Sequence, residues 1–162
     1  MIRKVIPADS EAIAGIYNGY VKNSTATFET EPVSVEVMRR RISDIVSFCP
    51  YLVYEADGKI AGYCYAHAWK ERAAYGKTLE TTIYISEEYR GMGIGRKLMA
   101  ELVEECRKRD CHALIACITA ENEESRTFHL KLGFKQVSLF EKVGVKFGRR
   151  LDVADYELLL KP

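Results

Sequence analysis

The chain has no apolar run approaching the roughly 20 residues a membrane-spanning helix needs. Its first residues, Met1 to Lys4, lead into an amphipathic segment rather than the continuous apolar stretch of a secretory leader, so a soluble, cytoplasmic protein is expected. An excess of either charge is also missing: 24 Lys and Arg stand against 23 Asp and Glu, a formal net charge of +1. That balance lacks the basic footprint of a general nucleic-acid binder and makes a small molecule the expected partner. The five cysteines (Cys49, Cys64, Cys106, Cys111, Cys117) are odd in number and include no C-x-x-C pair. Most sit in apolar periodic segments, which predicts buried free thiols rather than disulfides or zinc, and no metal site is expected. Internal repeats and low-complexity stretches are absent, and the polar loop Asn23 to Pro32 is too short to act as a linker. Residues 1–162 are therefore expected to form a single domain. With 48% hydrophobic and 29% charged residues, such a domain can bury an adequate core.

Periodicity supplies the elements. Ile2 to Ile6 reads as a short strand, and Asp9 as the N-cap of a helix whose apolar stripe is Ile13, Ile16, Tyr17, Tyr20 and Val21. A second helix is predicted from Ser34 through Val37, Met38, Ile42, Ile45 and Val46. Tyr51 to Glu55 and Lys59 to Ala68 flank Asp57-Gly58, the signature of a β-hairpin. From Thr78 to Ser86 the residues alternate, with Leu79, Thr81, Ile83 and Ile85 on one face and Glu80, Thr82 and Tyr84 on the other. Ile94, Leu98, Met99, Leu102, Val103 and Cys106 then recur at helical spacing, and Ala113 to Ile118 reads as a buried strand. Strand, helix and strand in that order form a βαβ unit, so the two strands should be parallel. A shorter helix is expected from the N-cap Asn122 to Gly133, and Phe134 to Glu141 and Val153 to Leu160 read as final strands.

The turn between strand and helix carries the chemistry. Tyr89-Arg90-Gly91-Met92-Gly93-Ile94-Gly95-Arg96 lets the backbone take positive φ, and the first N–H groups of the helix point outward with the positive end of its dipole. Such a turn suits a pyrophosphate; a glycine turn that merely closes tightly is the plain alternative. A P-loop would need Lys-Ser/Thr after the last glycine, and a dinucleotide fold would place its glycine motif near the first strand of a longer alternating array. Neither fits here.

Arg90-Gly91-x-Gly93-x-Gly95 after a strand resembles the acetyl-CoA loop of the GCN5-related N-acetyltransferases. The wider resemblance is to the phosphinothricin and methionine sulfoximine N-acetyltransferase branch and spans nearly the whole chain. It is carried by Ile16-Tyr17-Asn18, Thr27-Phe28-Glu29-x-Glu31-Pro32, Arg72-x-Ala74-Tyr75, Thr78-x-Glu80-x-Thr82-x-Tyr84, His129-x-x-Leu132-Gly133-Phe134 and Val143-Gly144-x-Lys146-Phe147-Gly148-Arg149-x-x-Asp152-Val153. The resemblance implies an α/β (α+β) fold with a central mixed, mostly antiparallel twisted sheet, a parallel, splayed strand pair and helices on both faces. It also implies an acetyl-CoA-dependent enzyme, a small-molecule amine as second substrate and a homodimer.

Acetyl transfer from a thioester to an amine requires the amine to lose a proton, the carbonyl to be polarised and the thiolate to be reprotonated. Glu80, on the polar face of the strand entering the turn, suits the general base, and the resemblance implies the same; a solvated strand carboxylate is the other reading. The resemblance places Ile83, Tyr84 and Ile85 along the pantetheine arm, with Arg90, Gly91, Met92, Gly93, Ile94, Gly95 and Arg96 at the pyrophosphate. Asn122 and Ser125, at the next helix start, fall near the coenzyme, although Asn122 also reads as a plain N-cap. His129 stands where related enzymes carry the residue that protonates the departing thiolate, with a structural histidine as the alternative. For the acceptor, similarity points to Phe28, Glu29, Lys70, Glu71, Arg72, Glu80, Thr81 and Thr82, and the guanidinium of Arg72 suits a carboxylate. Two residues depart from the family pattern: Arg150 replaces a usual tryptophan and Glu157 a usual glutamine. Other amines (a polyamine, an aminoglycoside or a protein N-terminus) remain alternative acceptors, and a non-catalytic acyl-CoA sensor is the alternative of a different class.

Overall fold

The computed structural model describes residues 1–160. Its elements run β1 (Ile2–Lys4), α1 (Ser10–Asn23), α2 (Val35–Val46), β2 (Tyr51–Ala56), β3 (Lys59–Ala68), β4 (Thr78–Ile85), α3 (Ile94–Lys108), β5 (Ala113–Thr119), α4 (Glu123–Lys131), β6 (Lys135–Lys146) and β7 (Arg149–Leu159). The strands form one seven-stranded sheet in the order β1-β2-β3-β4-β5-β7-β6. The chain divides into two compact units, each assembled from three stretches: Met1–Asn18, Val33–His67 and Thr81–Asp110 in the first, and Gly19–Pro32, Ala68–Glu80 and the chain from Cys111 onward in the second.

In the first unit the Asp57-Gly58 turn closes the β2–β3 hairpin with both residues at positive φ (53° and 73°), the geometry that matches the twist of two antiparallel strands. One face of these strands carries an aromatic cluster in which Tyr51 stacks on Tyr65 at 4.7 Å and Tyr84 of β4 meets Tyr63 and α1's Tyr17. The opposite face takes α3, whose Leu98, Met99, Leu102 and Cys106 are fully buried while the Cys64 thiol donates to the Leu98 carbonyl. Each such large apolar side chain contributes about 1.5–3 kcal/mol on burial, which is why a 3.6-residue stripe predicts this helix so well. Ser34 caps α2 as expected, its hydroxyl accepting from the Val37 N–H.

Asp9 does something else. It ends a short 3-10 turn (Pro7–Asp9) before α1, and its carboxylate faces backward to accept from the Ile6 N–H and from both terminal nitrogens of Arg3. Burial alone would push its carboxyl upward, but the hydrogen bonds from Arg3 and Ile6 outweigh burial and hold it below the usual range.

In the second unit, β5 runs parallel to β4 over Thr78–Glu80 and antiparallel to β7 over its whole length. The parallel ladder ends at Glu80 and Ile115, while β4 continues to Ile85. Helix α4 packs on one face of this part of the sheet, with Arg126 Nε donating to the Tyr156 hydroxyl at 2.8 Å, and stops at Gly133 with φ 97°. The last two strands are longer than the sequence suggests. They form a hairpin through Phe147-Gly148, at φ 52° and 70°, and β6 bulges between Phe140 and Gly144 where Lys142 takes φ 55°. Gly148 is a residue type that suits positive φ, but a phenylalanine there is uncommon, so residue type does not mark Phe147 as the other half of the turn. None of the five cysteines forms a disulfide; Cys64, Cys106 and Cys111 are buried, Cys49 is half-buried and Cys117 is exposed.

Candidate active site

The alternation of β4 is real but its burial is not two-sided. Only Thr81 is buried, and the other seven residues are half-exposed. The Thr81 hydroxyl has no hydrogen-bond partner among the described residues. Four residues beyond β4's last position, Ile85, comes Tyr89, and then the glycine turn. Gly91 and Gly93 both sit at φ 78°, and Gly93 is the N-cap of α3, with no side chain capping the helix. A Cβ built on either glycine would touch nothing within 4 Å, so glycine is required there by backbone conformation rather than by space. Ile94 anchors the turn in the core, whereas Arg90, Met92 and Arg96 are exposed and Gly95 is half-buried. The open N-terminus of a 15-residue helix, flanked by two arginines, presents N–H groups and positive potential to an anion. These features fit a pyrophosphate.

The second unit holds the remaining candidates. Glu80 lies half-buried in β4 opposite Ile115. On the same face, Cys117 of β5 stands opposite Asp155 of β7. The Cys117 thiol is pushed up to about 12 by loss of water around it and by the negative charges of Asp155 and Glu80, although the residue reaches solvent. Lys70 sits with its ammonium 4.4 Å from the Trp69 ring centroid and 5.5 Å from that of Tyr75, while Glu71 and Arg72 are exposed. Phe28 is exposed at its edge and lays its ring on Gly144, where any Cβ would run into it. Glu29 is half-buried and attracts Lys146.

At the start of α4 the Asn122 side chain accepts from the Ser125 N–H at 3.1 Å, so its capping role is present in the protein alone. His129 is 3% exposed, with Phe128 and Phe134 edge-on to its ring at 5.2 and 5.1 Å. Its Nδ1 lies 2.8 Å from the Ser125 carbonyl oxygen, a contact that requires a proton on Nδ1. Burial holds its pKa below the usual 6.5, with the Ser125 carbonyl offsetting part of the shift. Arg150 is exposed at the start of β7, paired with Val145, and Glu157 is half-buried between Ile115 and Lys135. Among the described residues no cluster of three or more His, Cys, Asp or Glu could hold a metal ion, and no helix is long and apolar enough to cross a membrane. Lys146, which in the sequence is one member of the Val143 to Val153 motif with no role of its own, is only 2% exposed in the structure.

The profile of the acetyltransferase (GNAT) family matches residues 13–134. The chain belongs to that family. It is an acyltransferase of the N-acetyltransferase class, on a mixed sheet with one parallel pair. Over 153 residues it is 39% identical to the phosphinothricin N-acetyltransferase of Alcaligenes faecalis, covering 93% of this chain and 78% of that protein. It is 32% identical to the L-methionine sulfoximine/L-methionine sulfone acetyltransferase of Salmonella typhimurium over 161 residues, covering 98% of this chain and 94% of the relative. Among solved structures, a phosphinothricin acetyltransferase from Sinorhizobium meliloti in complex with acetyl-CoA superposes with a TM-score of 0.95 at 38% identity, covering 99% of this chain and 88% of that one.

Proposed function

We propose that residues 1–162 act as one catalytic domain that moves an acetyl group from acetyl-CoA directly to the primary amine of a small amino acid or amino-acid analogue of the phosphinothricin or methionine sulfoximine type. The observation that carries the proposal is the uncapped α3 N-terminus with Gly91 and Gly93 at positive φ, which fits a coenzyme pyrophosphate, in a chain whose relatives acetylate such amines. The bound coenzyme supplies the acetyl group as a thioester. N–H groups around Gly91 to Arg96 hold its pyrophosphate, assisted by Arg90 and Arg96, and the backbone of Ile83 to Ile85 aligns the pantetheine arm. The Asn122 and Ser125 end of α4 supports the coenzyme.

An amine reaches an enzyme mostly protonated near neutral pH, so Glu80, directly or through water, takes a proton from the acceptor ammonium. The freed nitrogen lone pair forms the new C–N bond, the C–S bond breaks, and the second proton that the nitrogen must shed passes through solvent to the departing thiolate. Thr81 and Thr82 flank the base in β4, Thr82 on the same face as Glu80 and Thr81 buried on the other. Phe28, Glu29, Lys70, Glu71 and Arg72 recognise the rest of the acceptor, with Arg72 suited to its carboxylate.

His129 was the candidate acid for the sulfur. A buried neutral ring that donates from Nδ1 leaves Nε2 without a proton, so these observations favour the second reading, in which His129 orders α4. The acid role would require the imidazolium that burial disfavours.

A homodimer is also proposed. β6 is an edge strand of 12 residues with Val137, Leu139, Phe140, Val143 and Val145 exposed, as is Phe147 in the turn that follows, an apolar rim of the kind that a second copy covers. We place the enzyme in the cytoplasm, a reducing compartment that suits five cysteines none of which forms a disulfide. The deciding experiment incubates the protein with acetyl-CoA and a panel of amines and follows thiol release. Turnover with methionine sulfoximine or phosphinothricin supports the proposal. Turnover confined to polyamines, aminoglycosides or peptide N-termini reassigns the acceptor, and coenzyme A binding without turnover on any amine makes the protein a sensor.

A further inference from the structure

The stretch from Ser24 to Ser34 contains no helix or strand, yet side chains of the second unit fasten it at several points. Lys146 of β6 donates from Nζ to the Ser24 carbonyl at 2.6 Å and to the Thr27 carbonyl at 2.7 Å. Thr119 of β5, itself buried, donates its hydroxyl to the Thr25 carbonyl at 2.6 Å. The Thr25 hydroxyl in turn donates to Glu121, whose carboxylate is held by both terminal nitrogens of Arg149. Gly144 leaves the space in which the Phe28 ring lies.

Burying an ammonium costs several kcal/mol unless it is compensated, and lysine is almost never buried to this degree without a partner. Here the compensation comes mainly from two main-chain carbonyls, with Glu29 adding attraction at longer range. A carbonyl pair fixes the backbone itself, which a side-chain ion pair would not do. The residues immediately after the second carbonyl are Phe28 and Glu29.

We infer that Lys146 is a positioning residue for the acceptor: by locking the main chain at Ser24 and Thr27 it sets the Phe28 and Glu29 side chains in the acceptor-binding pose. This rests on the assignment of Phe28 and Glu29 to the acceptor made above. Lys146 touches neither coenzyme nor reacting atoms in this role. Its loss therefore separates the two substrates kinetically, whereas damage to the fold at large does not.

The test is steady-state kinetics of Lys146→Met, Thr119→Val and Phe28→Ala by thiol release, with methionine sulfoximine and acetyl-CoA varied in turn and melting temperatures recorded alongside. Thr119→Val removes a neighbouring anchor with little change of shape and decides the matter if Lys146→Met does not fold. The expected result is a KM for the amine raised about tenfold in Lys146→Met and less in Thr119→Val, a change within the range of a lost charged hydrogen bond, with the acetyl-CoA KM unchanged. An unchanged amine KM overturns the inference, as does a parallel rise of both KM values or a fall in kcat with neither KM altered. Phe28→Ala distinguishes the two levels: if it leaves the amine KM unchanged, the acceptor assignment itself fails; if it raises that KM while Lys146→Met and Thr119→Val do not, only the positioning role fails.

Discussion

Replacing Gly93 with alanine probes the coenzyme turn through its backbone alone. At φ 78° an L-residue places Cβ against the following carbonyl, which costs about 1–2 kcal/mol. No further steric term arises, because a Cβ at this position meets nothing within 4 Å. The protein can then respond in two ways. If the turn keeps its shape, the strain appears as lost stability, a fall in melting temperature of about 2–4 °C per kcal/mol for a chain of this length. If the turn relaxes toward negative φ, the N–H groups of Gly93 to Arg96 lose their common aim and the same energy appears as a rise of about fivefold to thirtyfold in the KM for acetyl-CoA. The assay is thermal unfolding together with acetyl-CoA and amine KM values for Gly93→Ala. Gly15→Ala serves as the control: Gly15 lies exposed in α1 with nothing within 4 Å, so alanine there should stabilise the protein by up to about 1 kcal/mol and leave both KM values alone. A Gly93→Ala enzyme with wild-type melting temperature and wild-type acetyl-CoA KM would refute the claim that positive φ shapes this site.

Glu80→Gln is expected to lower kcat by about 10²–10⁴-fold at neutral pH with an acetyl-CoA KM close to wild type; retained turnover removes Glu80 as the base. His129 binds a proton less readily folded than unfolded, so the unfolded state carries more protons between the lowered folded value and about 6.5. Stability should therefore be fully present above that window and fall as pH drops through it, and denaturant titrations of His129→Gln should lack this slope. The same variant should keep the wild-type pH dependence of kcat; a lost basic limb would restore His129 as the acid. The Cys117 thiol, pushed up to about 12, should resist iodoacetamide at pH 7.5 despite its exposure, because the thiolate is the nucleophile; rapid labelling seen by peptide mass spectrometry would contradict that environment.

Elements whose signals are local were legible in the sequence. The Asp57-Gly58 hairpin, the Ser34 cap and the α3 stripe each depend on residues within a few positions of one another, and each appears within a residue or two of where periodicity puts it. The parallel pairing of β4 and β5 was legible for a topological reason, since a strand–helix–strand crossover leaves no other arrangement. The β6–β7 hairpin was not, because its turn places Phe147 at positive φ and its register is reset by a bulge, both set by pairing between strands rather than by residue type. Asp9 misled for a related reason: an aspartate before a helix reads as an N-cap, but Arg3, six residues earlier, competes for the same carboxylate with two charged donors.

Lys146 shows the same limit where it bears on function. In sequence it is one of 24 basic residues, and its partners Ser24 and Thr27 lie 122 and 119 residues away. Those partners are carbonyls, which every residue carries, so side-chain type could not have pointed to them. The hydroxyl of Thr119 likewise ends on a carbonyl, that of Thr25. Loss of the Lys146 ammonium releases two backbone contacts at once. The loop's shape is thus held from two sides: from β5 and β6 through its carbonyls, and from within through its own hydroxyls, Ser24 Oγ accepting from the Ala26 N–H and Thr27 Oγ1 from the Glu29 N–H.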